Sequence, residues 1–308
     1  MAGFDLLRVP MHPPPDSSAA GIPQRQGVAE RDAPIGVFDS GVGGLSVLRA
    51  LRNRMPHEHF VYLADSSHAP YGEKGDALVQ QRSLTIARFL HQRHQIKAFV
   101  VACNTATAAA VQLLRSELPG LPIVGVEPAL KPAAAHSRTH HVGVLATRGT
   151  VTSERFARLL AAQGSGTQFA IQACDGLAWA IEQSTAAPAD DAQAQARIQA
   201  LCARYVHALG NLGEQPGQID TLVLGCTHYV FALPWLQDLA GPQVQIIETG
   251  PAVARHTHQL LAQRDLLAHR DTAGATTLLT TGALAALASA AQRWLALDAA
   301  HCTAAEVE

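Results

Sequence analysis

The 308-residue sequence lacks features that would point to several classes of protein. No run of Lys and Arg stands out and the formal net charge is -2, which argues against binding to nucleic acid or to a membrane surface. No uninterrupted apolar run approaches the roughly 18 to 20 residues of a membrane span. Residues 1–21 show no basic start followed by an apolar core, so we expect no secretory signal and a cytoplasmic protein.

Cysteine patterns typical of disulfide frameworks and zinc sites are also missing. The chain has 5 cysteines, an odd number at wide spacings, and no CxxC pair. This indicates a reducing compartment. We interpret Cys174, Cys202 and Cys302 as small buried hydrophobic residues.

The other two cysteines each follow an apolar, strand-like run and precede hydrogen-bonding side chains. One run reads Phe99-Val100-Val101-Ala102-Cys103-Asn104-Thr105, and the other reads Leu222-Val223-Leu224-Gly225-Cys226-Thr227-His228. A thiol placed just after a strand, at the start of a helix, has its pKa lowered by the helix field and free amides. We therefore expect Cys103 and Cys226 to face one small ligand from opposite sides.

Four interpretations of these thiols stay open from the residues alone. In the first, both thiols are simply buried hydrophobic groups. In the second, Cys226 and His228 begin a metal site, although no third and fourth ligand follow at useful spacing. Alternatively, one cysteine is a nucleophile with His228 as its base, which leaves Cys103 unexplained. In the fourth interpretation, each thiol moves a proton on one face of a carbon, which inverts a stereocentre.

Strands and helices alternate along the chain, which predicts an α/β fold with mostly parallel sheets. We predict strands at 35–38, 60–64, 99–102, 122–126, 141–146, 169–171, 222–225, 243–247 and 276–280. We predict helices at 47–54, 78–94, 106–116, 153–163, 177–183, 192–209, 252–264 and 278–297. Residues 141–150 echo residues 34–41, a weak internal repeat. Ligands bind beyond the carboxyl ends of parallel strands, and that position is shared by Asp39, Asp65, Cys103, Thr147 and Cys226.

The glycine-rich loop Gly41-Val42-Gly43-Gly44 is neither the spaced GxGxxG motif nor a phosphate loop. It is either a tight turn between strand and helix or a set of free amides for an anion. Asp39 is either a helix cap or a group that binds an ammonium or assists a thiol. Neutral donors suited to a carboxylate or an amino group come from Ser40, Asn104, Thr105 and Thr227.

Taken together and in order over residues 34 to 255, these motifs resemble one known family. They are Phe38-Asp39-Ser40-Gly41-Val42-Gly43-Gly44-Leu45, Ala64-Asp65, Pro70-Tyr71-Gly72, Ala102-Cys103-Asn104-Thr105-Ala106, Gly125-Val126-Glu127-Pro128, Ala146-Thr147-Arg148-Gly149-Thr150-Val151 and Leu224-Gly225-Cys226-Thr227-His228-Tyr229. The set resembles the glutamate racemases, the cofactor-independent family of the aspartate/glutamate racemase superfamily.

The resemblance implies two pseudo-symmetric α/β domains with the active site in the cleft between them. Residues 34–126 plus 248–308 would form the first domain and residues 127–247 the second, after a flexible tail at residues 1–33. It also implies interconversion of L- and D-glutamate without a cofactor or metal, a supply of D-glutamate for peptidoglycan, and a homodimer.

The resemblance also assigns roles to residues. Cys103 and Cys226 would be the two acid/base thiols, with Asp39 assisting the first thiol and His228 and Glu182 assisting the second. Substrate would be held by Asp39, Ser40, Tyr71, Gly72, Asn104, Thr105, Thr147, Thr150, Thr227 and His228. The family usually has Cys-Pro before the assisting acid, whereas here Cys174-Asp175 precedes Glu182.

Two rival functions are compatible with these residues. One is a sister racemase acting on aspartate or a hydantoin, against which the Gly-Gly-Leu and Pro-Tyr-Gly motifs argue. The other is a thiol redox or ligand-binding protein on the same fold, in which Cys103 and Cys226 form a reversible disulfide without turnover.

Overall fold

A computed structural model describes residues 28–188 and 190–308 of the chain. The strands are β1 (Ile35–Asp39), β2 (Phe60–Ala64), β3 (Ala98–Val101), β4 (Ile123–Gly125), β5 (His141–Ala146), β6 (Gln168–Ala173), β7 (Thr221–Gly225), β8 (Gln245–Ile247), β9 (Thr276–Thr280) and β10 (Cys302–Ala304). The helices are α1 (Val28–Arg31), α2 (Leu45–Arg54), α3 (Asp76–His94), α4 (Asn104–Glu117), α5 (Leu130–His136), α6 (Arg148–Val151), α7 (Glu154–Ala161), α8 (Leu177–Ser184), α9 (Ala192–Ala208), α10 (Leu233–Ala240), α11 (Gly250–Gln263) and α12 (Leu284–Leu295).

The strands form two sheets in which every described pairing is parallel. The larger sheet has the order β10-β9-β2-β1-β3-β4, and the smaller sheet has the order β6-β5-β7-β8. The segment β2-β1-β3-β4 of the first sheet has the same order as the second sheet, so the internal repeat extends to the topology. The predicted α/β class with parallel sheets is confirmed. The domain boundaries at 126/127 and 247/248 stay a prediction.

The central strands are buried on both faces because helices cover both sides of each sheet. All five residues of β1, β2 and β7 are buried. In the register, Val37 lies between Tyr62 and Val100, and Val144 lies between Ile171 and Val223. Fully buried apolar strands of this kind are typical of parallel sheets. None of the helices in the described ranges is long and apolar enough to cross a membrane.

One prediction about the ends of the chain needs correction, and another falls mostly outside the described residues. The helix predicted over residues 278–297 begins only at Leu284, because Leu278 and Leu279 pair with β2 in the sheet. The tail predicted over residues 1–33 lies outside the described residues up to residue 27. Within residues 28–33, α1 spans Val28–Arg31 and Arg31 forms an ion pair with Asp265, and the flexibility of the tail stays a prediction.

Candidate active site

Asp39 and the two cysteines lie at the carboxyl ends of the three strands that define the site. Asp39 closes β1, Cys103 follows β3 after Ala102, and Cys226 follows β7 directly. Both thiols are 6% exposed, and Asp39 is fully buried. Parallel strands bring such residues to one edge of their sheet. The two sheets therefore present one thiol each.

The Cys103 thiol begins helix α4. Its Sγ accepts a hydrogen bond from the backbone N–H of Ala106 at 3.4 Å and donates to Ser40 Oγ at 3.7 Å. Burial, followed by the negative charge of Asp39, raises the pKa of Cys103, so these effects outweigh the lowering that we expected from its place at the start of a helix. A smaller contribution comes from Cys226, whose charge acts on the same thiol. The two cysteines therefore share one electrostatic environment.

Asp39 connects the two halves of the site. Its Oδ1 accepts from Ser40 Oγ at 3.0 Å and from the Gly41 N–H at 3.3 Å, while its Oδ2 accepts from Thr227 Oγ1 at 2.9 Å. Burial raises the pKa of Asp39, and the charge of Glu182 adds to this, although His228 opposes it. A carboxyl whose pKa is raised in this way is suited to accept and return a proton.

A buried chain of three groups surrounds the second thiol. Cys226 Sγ lies 3.8 Å from His228 Nδ1, and His228 Nε2 lies 2.8 Å from Glu182 Oε2. Burial alone would lower the pKa of His228, but its contacts with Cys226 and Glu182 outweigh burial and raise it. The pKa of Glu182 is lowered because the contact with His228 outweighs burial. His228 and Glu182 therefore form a buried hydrogen-bonded pair in which each group favours the charged form of the other.

Glu182 reaches this position from the second sheet's side and is fixed by residues of the first. The Val42 N–H donates to Glu182 Oε2 at 2.8 Å, and Ser66 Oγ donates to Oε1 at 3.0 Å. The glycine loop therefore binds a carboxylate of the chain itself. Sequence reasoning missed Ser66, whose only local signal is its position just after β2.

Three threonines form a hydrogen-bonded row beside the first thiol. Thr105 Oγ1 lies 2.9 Å from Thr147 Oγ1, which lies 2.9 Å from Thr150 Oγ1. The side chain of the adjacent Asn104 is buried, and neither its oxygen nor its nitrogen has a hydrogen-bond partner. Buried amides are normally hydrogen-bonded, so this one is available to a ligand.

Tyr71 and Gly72 occupy the wall of the site in different ways. The Tyr71 hydroxyl donates to Asp65 Oδ2 at 2.6 Å, and Arg82 binds the same carboxylate. Asp65 and Tyr71 therefore hold the loop in place, and the tyrosine hydroxyl is committed to that carboxylate. Gly72 lies directly against Thr147, where an added Cβ would be 2.7 Å from the Thr147 Cβ.

The described residues contain no group of three or more His, Cys, Asp or Glu side chains arranged to hold a metal ion. The Cys226 and His228 pair thus gains no further ligand from the described part of the fold. The geometry offers two buried thiols, one connected to Asp39 through Ser40 and one beside His228, with neutral hydrogen-bonding side chains nearby.

Comparisons with known proteins agree with this arrangement. A profile of the Asp/Glu/Hydantoin racemase family matches residues 44–257. The glutamate racemase of Stutzerimonas stutzeri (strain A1501) is 48% identical over 244 residues, which cover 79% of this chain and 88% of the relative. Glutamate racemase isoform RacE1 from Bacillus anthracis superposes with a TM-score of 0.77 at 28% identity, covering 90% of this chain and 98% of that one.

A second solved structure carries ligands. Escherichia coli glutamate racemase, in complex with L-glutamate and the activator UDP-MurNAc-ala, has a TM-score of 0.70 at 31% identity and covers 85% of this chain and 95% of its own. The family match spans more than half of the sequence, and the curated relative is covered almost completely. The chain therefore belongs to the Asp/Glu/hydantoin racemase family, and within it to the glutamate racemases.

Proposed function

We propose that this chain interconverts L-glutamate and D-glutamate by moving the α-proton between two thiols, without a cofactor. The observation that carries the proposal is the placement of Cys103 and Cys226 at equivalent strand ends of two sheets with the same strand order. Two glutamate racemases that the chain resembles, one of them solved with L-glutamate, support the choice of substrate.

In this mechanism one thiolate removes the α-proton and the other thiol delivers a proton to the opposite face. Asp39 exchanges a proton with Cys103 through Ser40, which hydrogen-bonds to both. His228 exchanges a proton with Cys226, and Glu182 keeps the imidazole oriented. Two chemically similar bases serve the forward and reverse reactions equally, as a racemisation requires.

Neutral donors hold the substrate between the thiols. The amide of Asn104, which has no hydrogen-bond partner, contributes the donor for a direct contact. The hydroxyls of Ser40 and Thr227 donate to Asp39, so they offer the substrate their oxygens as acceptors. The row formed by Thr105, Thr147 and Thr150 and the backbone of Gly72 complete the wall. Fixed dipoles in a buried site stabilise the carbanion more strongly than water would.

The wider role follows from the same proposal. D-glutamate made in the cytoplasm would supply peptidoglycan synthesis, and the protein would act as a homodimer. The two halves, 34–126 plus 248–308 and 127–247, would act as domains that close over the substrate, since Thr227, Glu182 and Thr147 contact residues of the first sheet across the site.

Incubation of the reduced protein with L-glutamate in D2O tests this mechanism. With two separate bases, the D-glutamate formed first carries deuterium at the α-carbon, while the remaining L-glutamate keeps its hydrogen. Deuterium appearing equally in both enantiomers from the start would contradict the two-thiol mechanism. A parallel reaction with L-aspartate distinguishes the sister activity.

Cys103→Ala and Cys226→Ala should each abolish racemisation, because one face of the α-carbon then lacks its proton donor. Cys302→Ala is the matched control, since this buried cysteine lies on the edge strand β10, away from the site. Full activity in either of the first two variants would contradict the assignment of the thiols.

A further inference from the structure

A cavity lies at the edge of the larger sheet opposite the thiols. Its volume is about 520 Å³, and it is bordered by the starts of β2 and β9 and by the ends of α2 and α12. Because it lies at the amino ends of the strands, it is separated by the sheet from the proposed active site. The polar side chains that line it include Arg49, Arg52, Asn53, Gln292 and Arg293.

Two of these arginines have no partner in the described part of the chain. Arg49 and Arg52 are three residues apart on α2, so both project from the same side of the helix. Neither forms a hydrogen bond or an ion pair with residues 28–188 or 190–308. Burial lowers the pKa of Arg52, and no carboxylate offsets that cost. Guanidinium groups in such a position remain charged.

The other charges around the cavity do not cancel these two cations. Glu58 also lines it, but its carboxylate is paired with Lys97 and accepts the Ala268 N–H at 2.8 Å. The carboxyl ends of α2 and α12 contribute roughly half a negative charge each. Against the charge of +2 on Arg49 and Arg52, a net charge of about +1 therefore remains.

We propose that this cavity binds a phosphate ester of a small molecule. Guanidinium groups match the geometry of phosphate oxygens with paired N–H donors. The volume lies within the range of roughly 300–1,000 Å³ of small-molecule sites and exceeds what a bare phosphate fills. The organic part of the ligand would lie along the partly buried Trp294. This site is additional to the proposed racemase function and does not depend on it.

Calorimetric titration of the full chain at low ionic strength tests the proposal, with ADP, inorganic phosphate and glutarate as probes. We expect ADP to bind, and we expect its binding to be at least tenfold weaker in Arg49→Gln/Arg52→Gln. Arg54→Gln is the control, because it removes one positive charge from the same helix without lining the cavity, and the single variants Arg49→Gln and Arg52→Gln match it in charge. Racemisation without ADP, unchanged in both variants, shows that each is folded.

Three results would overturn the proposal. They are the absence of ADP binding to the unmodified protein, equal binding by Arg49→Gln/Arg52→Gln, and equal loss of binding in Arg54→Gln. Tighter binding of glutarate than of ADP would also overturn it, since the cavity would then select carboxylates. Weaker binding of inorganic phosphate than of ADP supports a contribution from the organic part.

Discussion

Thr227 and Asp39 join the two sheets directly at the thiol site. Thr227 Oγ1 donates to Asp39 Oδ2 at 2.9 Å, although the residues are 188 positions apart. Thr227 comes directly after Cys226, and Asp39 lies beside Ser40, the partner of Cys103. This hydrogen bond, together with those that Val42 and Ser66 donate to Glu182, therefore holds one thiol segment in place relative to the other.

Replacing Thr227 by Val should destabilise the fold by about 1.5–3 kcal/mol, the range for a hydrogen bond to a charged group. Val keeps the shape but leaves the buried Asp39 oxygen without this donor. Urea unfolding monitored by circular dichroism measures the change. Thr227→Ser retains the hydroxyl and should stay within about 1 kcal/mol of the original stability. Equal stability of the Val and Ser variants would contradict the importance of this bond.

The strands and the thiol positions could be predicted because their signals are local. Apolar runs of four or five residues that end at Asp39, Cys103 and Cys226 identify buried strands and their carboxyl ends. The secondary structure near the end of the chain was harder to predict, because Leu278 and Leu279 are compatible with both an apolar helix and a buried strand. Only their pairing with β2, more than 200 residues earlier, decides for the strand.

The contacts of Glu182 could not be predicted from sequence for the same reason. The Val42 N–H and Ser66 Oγ that hold it are 140 and 116 positions away. Likewise, no local pattern shows that the Tyr71 hydroxyl binds Asp65, since Asp65 itself was predicted to face the ligand. Long-range hydrogen bonds, which carry no periodicity, decide which polar residues face the ligand.

Glu182→Gln should make the reaction more sensitive to alkaline pH. In the original protein, contacts with Cys226 and Glu182 outweigh burial and raise the pKa of His228. Gln removes the negative charge, so the pKa of His228 falls and the imidazolium loses its proton at a lower pH. A pH profile of kcat/KM should then show its alkaline limb at lower pH, with roughly a 10²-fold loss where the two profiles differ most.

Ser66→Ala serves as the control for Glu182→Gln, because it removes one hydrogen bond to the carboxylate but leaves its charge. Its profile should keep the original alkaline limb. The pair formed by His228 and Glu182 also affects the stability of the fold. Because the pKa of His228 is higher in the folded than in the unfolded state, this pair contributes its full stabilisation below the unfolded pKa. That contribution is lost as the pH rises through the folded pKa. An unshifted limb in Glu182→Gln would contradict the ion pair.

Gly43→Ala should impair activity through crowding alone. A methyl group at this position would overlap the His228 imidazole, so the ring must move away from Cys226. A displacement of about 1 Å in a catalytic group costs on the order of 10²-fold in rate. Gly120→Ala introduces the same methyl group where no atom lies within 4 Å, and it should leave kcat unchanged. Comparable kcat values for both variants would exclude this effect.

Lys97→Met should destabilise the fold without changing the chemistry. Lys97 precedes β3 at the edge opposite the thiols, where it pairs with the buried Glu58 and donates to the Arg31 carbonyl at 2.6 Å. Removing one partner of a buried pair leaves an uncompensated charge and costs about 3–5 kcal/mol. Urea unfolding should detect this loss, while kcat measured well below the melting temperature stays the same.

The double variant Lys97→Met/Glu58→Gln separates the charge effect from packing. Gln removes the unpaired charge and still offers an oxygen to the Ala268 N–H, so the double variant should be more stable than Lys97→Met alone. The double variant could instead be less stable than the original protein by the sum of the losses in Lys97→Met and Glu58→Gln. In that case the cost of Lys97→Met lies in packing and in the lost bond to Arg31. The buried charge at Glu58 would then contribute little.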